Sequence, residues 1–250
     1  MTALSVNLNK LALLRNSRGQ NQPDIKHYAK RFIELGVQGI TIHPRPDERH
    51  IKQQDAYDLA KLLNQYPQIE FNIEGYPSEA FLHLVETCMP TQCTLVPDAE
   101  DQLTSDHGWD FTQQLDILRP IIARLKNSGI RVAVFLDPDL RQVELAAQSG
   151  ADRIELYTEE FARIFSADSS GDGAEESAGE ILRKYRRAAV LAQELGLGVN
   201  AGHDLNLQNL PSFLSIPAIL EVSIGHALII ECIDRGIENV IADYLRICKP

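Results

Sequence analysis

Short apolar, β-branched runs alternate along the chain with longer segments whose apolar residues recur at helical spacing. Eight runs have strand character: Leu4–Leu8 (LSVNL), Gly39–His43 (GITIH), Glu70–Glu74 (EFNIE), Gln92–Pro97 (QCTLVP), Arg131–Asp137 (RVAVFLD), Arg153–Thr158 (RIELYT), Gly198–Ala201 (GVNA) and Glu221–Gly225 (EVSIG). Each has the length of a strand buried in a parallel sheet. Between them, Ile25–Leu35, Ala56–Leu63 and Phe111–Leu125 space their apolar residues as amphipathic helices. Pro120 lies inside the third and is expected to interrupt or kink it. Gly36, Gly129, Gly150 and Gly196 each follow a helical pattern, where glycine supplies a left-handed C-terminal cap.

Eight strand–helix units in 250 residues fit a closed (β/α)₈ (TIM) barrel, read as one domain over 1–250. The competing doubly wound open sheet wants a glycine-rich turn after its first strand. VNLNKLALLRNSRG contains no G-x-G-x-x-G. Residues 166–180, SADSSGDGAEESAGE, are small, acidic and apolar-poor. This segment is expected to be a flexible surface loop, with a mobile lid beside the site as the sharper alternative.

Charge narrows the function. Lys and Arg total 24 against 35 Asp and Glu, a net charge of −11, which argues against nonspecific nucleic-acid binding. No stretch approaches the roughly 20 apolar residues of a membrane-spanning helix. No basic region followed by a long apolar run marks the N-terminus as a secretory signal. Cys88, Cys93, Cys232 and Cys248 show no Cys-x-x-Cys spacing, so reduced thiols in a cytoplasmic protein are expected rather than a zinc or dithiol site.

In this fold the active site gathers at the C-terminal ends of the strands. The polar residues expected there are Asn7 and Asn9, then His43, Arg45 and His50, then Glu74, Asp98, Asp137, Glu155, Asn200, His203 and the pair Gly225-His226. Glycine turns after strands seven and eight are the usual phosphate cradle. Arg15, Arg18, Arg45 and Arg49 follow the first two strands, and guanidinium groups clamp phosphate in bidentate fashion. Surface ion pairing is the alternative for Arg15 and Arg49, and interior ion pairing for Asp137 and Glu155. His43, Glu74 and His203 could also hold a metal, but no short ligand spacing supports that.

The chain resembles the pyridoxine 5′-phosphate synthase family almost end to end. The carriers are VNLNKLALLRNSRG at 6–19, GITIHPRPDERHI at 39–51, FNIEG at 71–75, LVPD at 95–98, FLDPD at 135–139, VNAGHDL at 199–205 and IGHALI at 224–229. The resemblance implies a (β/α)₈ barrel with extra helices, assembled as a homo-octamer. It implies no metal or organic cofactor; from the charge and the lack of a spanning apolar run, no nucleic-acid or membrane partner is expected. The implied reaction joins 1-deoxy-D-xylulose 5-phosphate to 3-amino-2-oxopropyl phosphate. By motif, His43 and Glu74 are the expected proton acceptors and His203 the proton donor. Asn7 and Arg18 are expected on the amino ketone phosphate, and Arg45, His50 and Thr104 on the sugar phosphate. Gly225 and His226 are expected to close a phosphate pocket. Asp204, where the family often has glycine, is expected as a backbone contact. Two departures stand out: Asn9-Lys10 replaces a common Asp-His, and Ile230-Glu231 a common Gly-Arg. The alternatives are another phosphosugar barrel, such as an epimerase or aldolase, and a barrel that binds a phosphorylated ligand without catalysis. A Schiff-base aldolase wants a lysine on a strand, and these strands have none.

Overall fold

The structure, a computed structural model, describes residues 1–98, 105–167 and 174–249, and only the backbone of 167 and 174–177. Eight strands pair in parallel in chain order: β1 (Ala3–Asn7), β2 (Gly39–Ile42), β3 (Glu70–Gly75), β4 (Gln92–Leu95), β5 (Arg131–Leu136), β6 (Arg153–Tyr157), β7 (Gly198–Gly202) and β8 (Ile219–Ile224). β8 closes onto β1, with Leu4 beside Val222 and Val6 beside Ile224. This is the expected (β/α)₈ barrel.

Alternation along the strands explains the closure. Leu4, Val6, Ile40, Ile42, Ile73, Leu95, Val132, Val134, Ile154, Leu156, Val199 and Val222 are fully buried in one continuous core with the helices. The intervening residues face the barrel interior and are largely polar, whereas such interiors are usually filled by branched apolar side chains. Ser5 and Thr41 share a hydrogen bond of 2.8 Å, and the Thr94 hydroxyl donates to Asn72 Oδ1 at 3.0 Å. At the floor, Arg131 pairs with Glu70, while Arg153 donates to Asn200 at 3.0 Å and Glu221 at 3.3 Å. Asn200 therefore belongs to the floor and not to the rim where its strand-end position suggested it.

The helices are α1 (Asn9–Asn16), α2 (Ile25–Glu34), α3 (Gln53–Leu63), α4 (Glu79–Cys88), α5 (Phe111–Asn127), α6 (Leu140–Gln148), α7 (Glu159–Ala167), α8 (Ala174–Glu194), α9 (Leu210–Phe213), α10 (His226–Arg235) and α11 (Ile237–Cys248). Asp24, Ser78, Asp110 and Asp139 each accept a backbone N–H at a helix start. Gly36, Gly129, Gly150 and Gly196 have φ of 99°, 82°, 85° and 83°, as caps require. α5 runs through Pro120 without ending. The proline is exposed, so the carbonyl it leaves unbonded can turn to water. The acidic segment differs from the loop expected over 166–180. α7 continues to Ala167, and Ala174–Glu180 forms the start of α8, in keeping with the helix propensity of Ala and Glu. Residues 168–173 lie outside the described residues. Among those described, no helix is long and apolar enough to cross a membrane.

Candidate active site

The polar column of the barrel interior opens at the C-terminal strand ends into a cavity of about 450 Å³. His43, Glu74, His203, Asn7, Arg45, His50, Asp204, Gly225 and His226 all line it, as do Asn9, Lys10, Arg49 and Glu155. Two expected site residues are not among them. Arg18 follows α1 on the exposed surface, and Thr104 lies outside the described residues. Arg15 is structural. Its guanidinium grips Asp55 through two bonds of 2.6 and 2.8 Å and donates to the His50 carbonyl, fastening α1 to the segment before α3.

His43 and Glu74 end neighbouring strands, with Nδ1 of the imidazole 4.0 Å from Oε2 of the carboxyl. Asn7 and Asn72 each reach Glu74 through a side-chain amide at 3.4 Å. Burial lifts the Glu74 pKa well above the carboxylate norm, and the charges of Glu155, Asp98 and Glu221 lift it further. Burial holds the His43 pKa well below the imidazole norm, assisted by Arg45. Both groups thus resist their charged forms. The environment favours the neutral carboxyl and the neutral imidazole side by side.

Burial also lowers the His203 pKa, against the opposing charges of Asp204 and Asp98. Its ring packs between Tyr157 and Phe135, with centroids at 5.2 and 6.0 Å. The backbone beneath it is strained. His203 and Asp204 both have positive φ, 77° and 55°, a conformation that costs a non-glycine residue about 1 kcal/mol or more. Thr158 holds the turn by donating its hydroxyl to the carbonyls of Gly202 and His203. The Asn209 amide donates to the Asp204 carbonyl at 3.1 Å.

The cationic side of the cavity holds Lys10, Arg45, Arg49 and the N-terminus of α10, which starts at His226 behind Gly225. A helix start presents free N–H groups and a partial positive charge to an anion. Gly225 passes close to Asn7, where a Cβ would lie 3.2 Å from the asparagine Cβ. His50 accepts the Ile51 N–H on Nδ1, so its other ring nitrogen carries any proton. Burial and the charges of Arg45, Lys10 and Arg49 push its pKa down to about 4. Of the departures, Asn9 is a latch: its side-chain oxygen accepts the His43 N–H at 2.9 Å. Glu231 accepts the Leu207 N–H at 3.1 Å and the Tyr244 hydroxyl, tying α10 to the loop after β7 and to α11.

Interior ion pairing was the alternative for Glu155, and among the described residues it has no ion pair. Its register neighbours are Phe135 and Asn200, neither of them a cation, and its hydrogen-bond donor is Thr94 at 3.4 Å. It lines the cavity, and its pKa is raised to about 8, first by burial and then by Glu221. Asp137 accepts the Gly108 N–H at 3.1 Å, a loop contact. Among the described residues no group of three His, Cys, Asp or Glu side chains is disposed to hold a metal ion.

The Glu155 shift has a measurable consequence. A carboxyl whose folded pKa lies above its unfolded value stabilises the fold at low pH, and that contribution is lost as pH rises through the folded value. The wild type is expected to lose thermal stability between about pH 4.5 and 8 more steeply than Glu155→Gln, which has no proton to release. Melting curves across that range decide it. Parallel curves for the two proteins would assign the titration elsewhere.

The model of the pyridoxal phosphate biosynthesis protein PdxJ family matches residues 4–250. The chain is 51% identical over 251 residues to the pyridoxine 5′-phosphate synthase of Cytophaga hutchinsonii, with all of both chains covered. It is 48% identical over 250 residues to that of Christiangramia forsetii, again across the whole of both. Among solved structures it resembles thiamine phosphate pyrophosphorylase from Pyrococcus furiosus, with a TM-score of 0.62 at 12% identity over 99% of this chain and 95% of that one. It also resembles 3-hexulose-6-phosphate synthase from Salmonella typhimurium, with a TM-score of 0.62 at 12% identity over 99% and 98%. At that identity the structural likeness speaks to the fold alone.

Proposed function

The chain belongs to the PdxJ family and is an enzyme of the pyridoxine 5′-phosphate synthase type; on that premise we propose how its cavity joins 1-deoxy-D-xylulose 5-phosphate to 3-amino-2-oxopropyl phosphate. The observation that carries this reading is the meeting of the His43–Glu74 pair, a third titratable ring and a cationic rim in one cavity. Joining an amine to a ketone loses water from a carbinolamine and then needs further proton transfers to close the ring. Such chemistry wants several acids and bases and no single nucleophile. Glu74 gives its proton to a leaving hydroxyl and His43 takes one from the amine or an adjacent carbon. Two phosphates need two anion sites. Arg45, Lys10 and Arg49 form one on the cationic side, and the start of α10 with Asn7 offers the other.

Burial disfavours the charged form of His203 while the cavity is empty. A bound phosphate dianion adds negative charge nearby and raises its proton affinity. The substrate thereby loads the donor. Glu155, below the reacting groups, remains protonated or supplies negative charge against a developing cation, as its environment at the working pH dictates.

The proposal extends to assembly and location. Leu13, Leu14, Ile230 and Ile233 are exposed on α1 and α10, helices that contact each other. This apolar face supports a homo-oligomer, the octamer implied by the family, in which the outward Arg18 serves the cavity of an adjacent subunit. Cys88, Cys93, Cys232 and Cys248 are all free, which supports a reducing cytoplasm. The one-domain organisation over 1–250 is part of the same proposal.

Mixing the purified protein with both phosphorylated substrates tests the reaction. Pyridoxine 5′-phosphate, followed by absorbance, and inorganic phosphate should appear together and only when both substrates are present. Absence of both products overturns the reading. Lys10→Met should then weaken 1-deoxy-D-xylulose 5-phosphate by about 1–3 kcal/mol, the scale of a lost charge-assisted hydrogen bond, and leave the amino ketone nearly unaffected. Equal losses for the two substrates would make Lys10 a source of general field only.

A further inference from the structure

Arg45, read above as a phosphate ligand, already holds an anion. Its Nη2 donates to Oδ2 of Asp98, and the pair is buried on both sides, with side chains 5% and 3% exposed. The Ser105 hydroxyl donates to the same Oδ2 at 2.8 Å. Among the described residues, Oδ1 of Asp98 is buried and has no hydrogen-bond partner. One oxygen of this carboxylate is doubly engaged and the other empty, a poor arrangement for a buried ion. Arg45 and Ser105 both line the cavity, and both hold Asp98.

We propose that Asp98 occupies the anion position on Arg45 while the cavity is empty, and that the substrate's phosphate displaces it. Asp98 is then a specificity-determining residue: it sets which anions Arg45 accepts. The inference rests on the reading of this cavity as a phosphate site. Lys10, Arg45 and Arg49 line the same cavity, together with His50. A phosphate dianion entering there is drawn by all three cations. A monoanion gains on Arg45 no more than Asp98 already supplies, and so cannot drive the exchange. The broken Arg45–Asp98 pair is subtracted from the affinity of every ligand, and only a dianion recovers it.

Calorimetric titration of the full chain with inorganic phosphate at pH 8, and separately with acetate as a monoanion, tests this. With the competitor removed, Asp98→Asn should bind phosphate about tenfold tighter or better and acquire a measurable affinity for acetate. Without anions the same variant should melt below the wild type, because the buried Arg45 guanidinium loses the negative charge of Asp98, and phosphate should raise its melting point by more than it raises that of the wild type. Phosphate binding that is unchanged or weaker in Asp98→Asn overturns the proposal and makes Asp98 a fixed support of Arg45. Should Asp98→Asn fold poorly, Ser105→Ala loosens Asp98 while keeping both charges. It should tighten phosphate by about two- to fivefold, and no tightening counts against the exchange. Product formation by the wild type from both substrates is scored separately, so failure of the proposed reaction is not confused with failure of the exchange.

Discussion

Glu74→Gln is expected to lower kcat by about 10²- to 10⁴-fold, the usual span for a lost general acid–base group, while the protein keeps its melting point. Glutamine has the shape of the protonated carboxyl that burial favours here. It can still bond Asn7 and Asn72 if one of those carboxamides turns over. What it cannot do is release and recapture a proton 4.0 Å from the His43 ring. The loss should fall on kcat more than on KM, because the missing interaction belongs to the transition state. Steady-state kinetics alongside thermal melting separate this from misfolding. Near-normal turnover would remove Glu74 from the chemistry.

His203→Asn should lower kcat by about 10²-fold or more as well, for a different reason. The imidazole stands on a strained turn held by Thr158 and is flanked by two aromatic rings. Asparagine tolerates the left-handed conformation better than most residues, so the turn should persist. It offers hydrogen bonds but cannot donate a proton at neutral pH. The expected signature is a fall in kcat with KM little changed. A raised KM with kcat intact would make His203 a ligand and not a donor.

The barrel was legible because its eight runs are short, apolar on alternate positions and separated by helices that stop at glycine. α1 was not singled out, because Leu13 and Leu14 face outward while Leu11, Ala12 and Arg15 face inward, which blurs the apolar stripe. The rim could be collected because this fold exposes its strand ends. Depth within the barrel could not. Asn200 and Glu155 are register partners on adjacent strands, yet one bonds into the floor and the other borders the cavity. The Arg45–Asp98 pair joins residues 53 positions apart, so no local pattern announced that the arginine was engaged. Arg18 belongs to a recognisable motif, but the motif could not say that its side chain lies on the exposed surface, away from this cavity's lining.

The seam between β1 and β8 has a temporal consequence. Asn7 sits at one edge of the cavity and Gly225 at the other, close enough that their atoms nearly touch. A ribosome emits the first of these residues long before the second. At about 5–20 residues per second, roughly 10–45 s separate them. For most of that interval, once residue 74 has been made, the nascent chain carries His43, Arg45 and Glu74 with no wall to complete their cavity. Substrate therefore cannot assist the early stages of folding. It can act only on a chain whose last strand has already found its first, as a clasp on a finished ring.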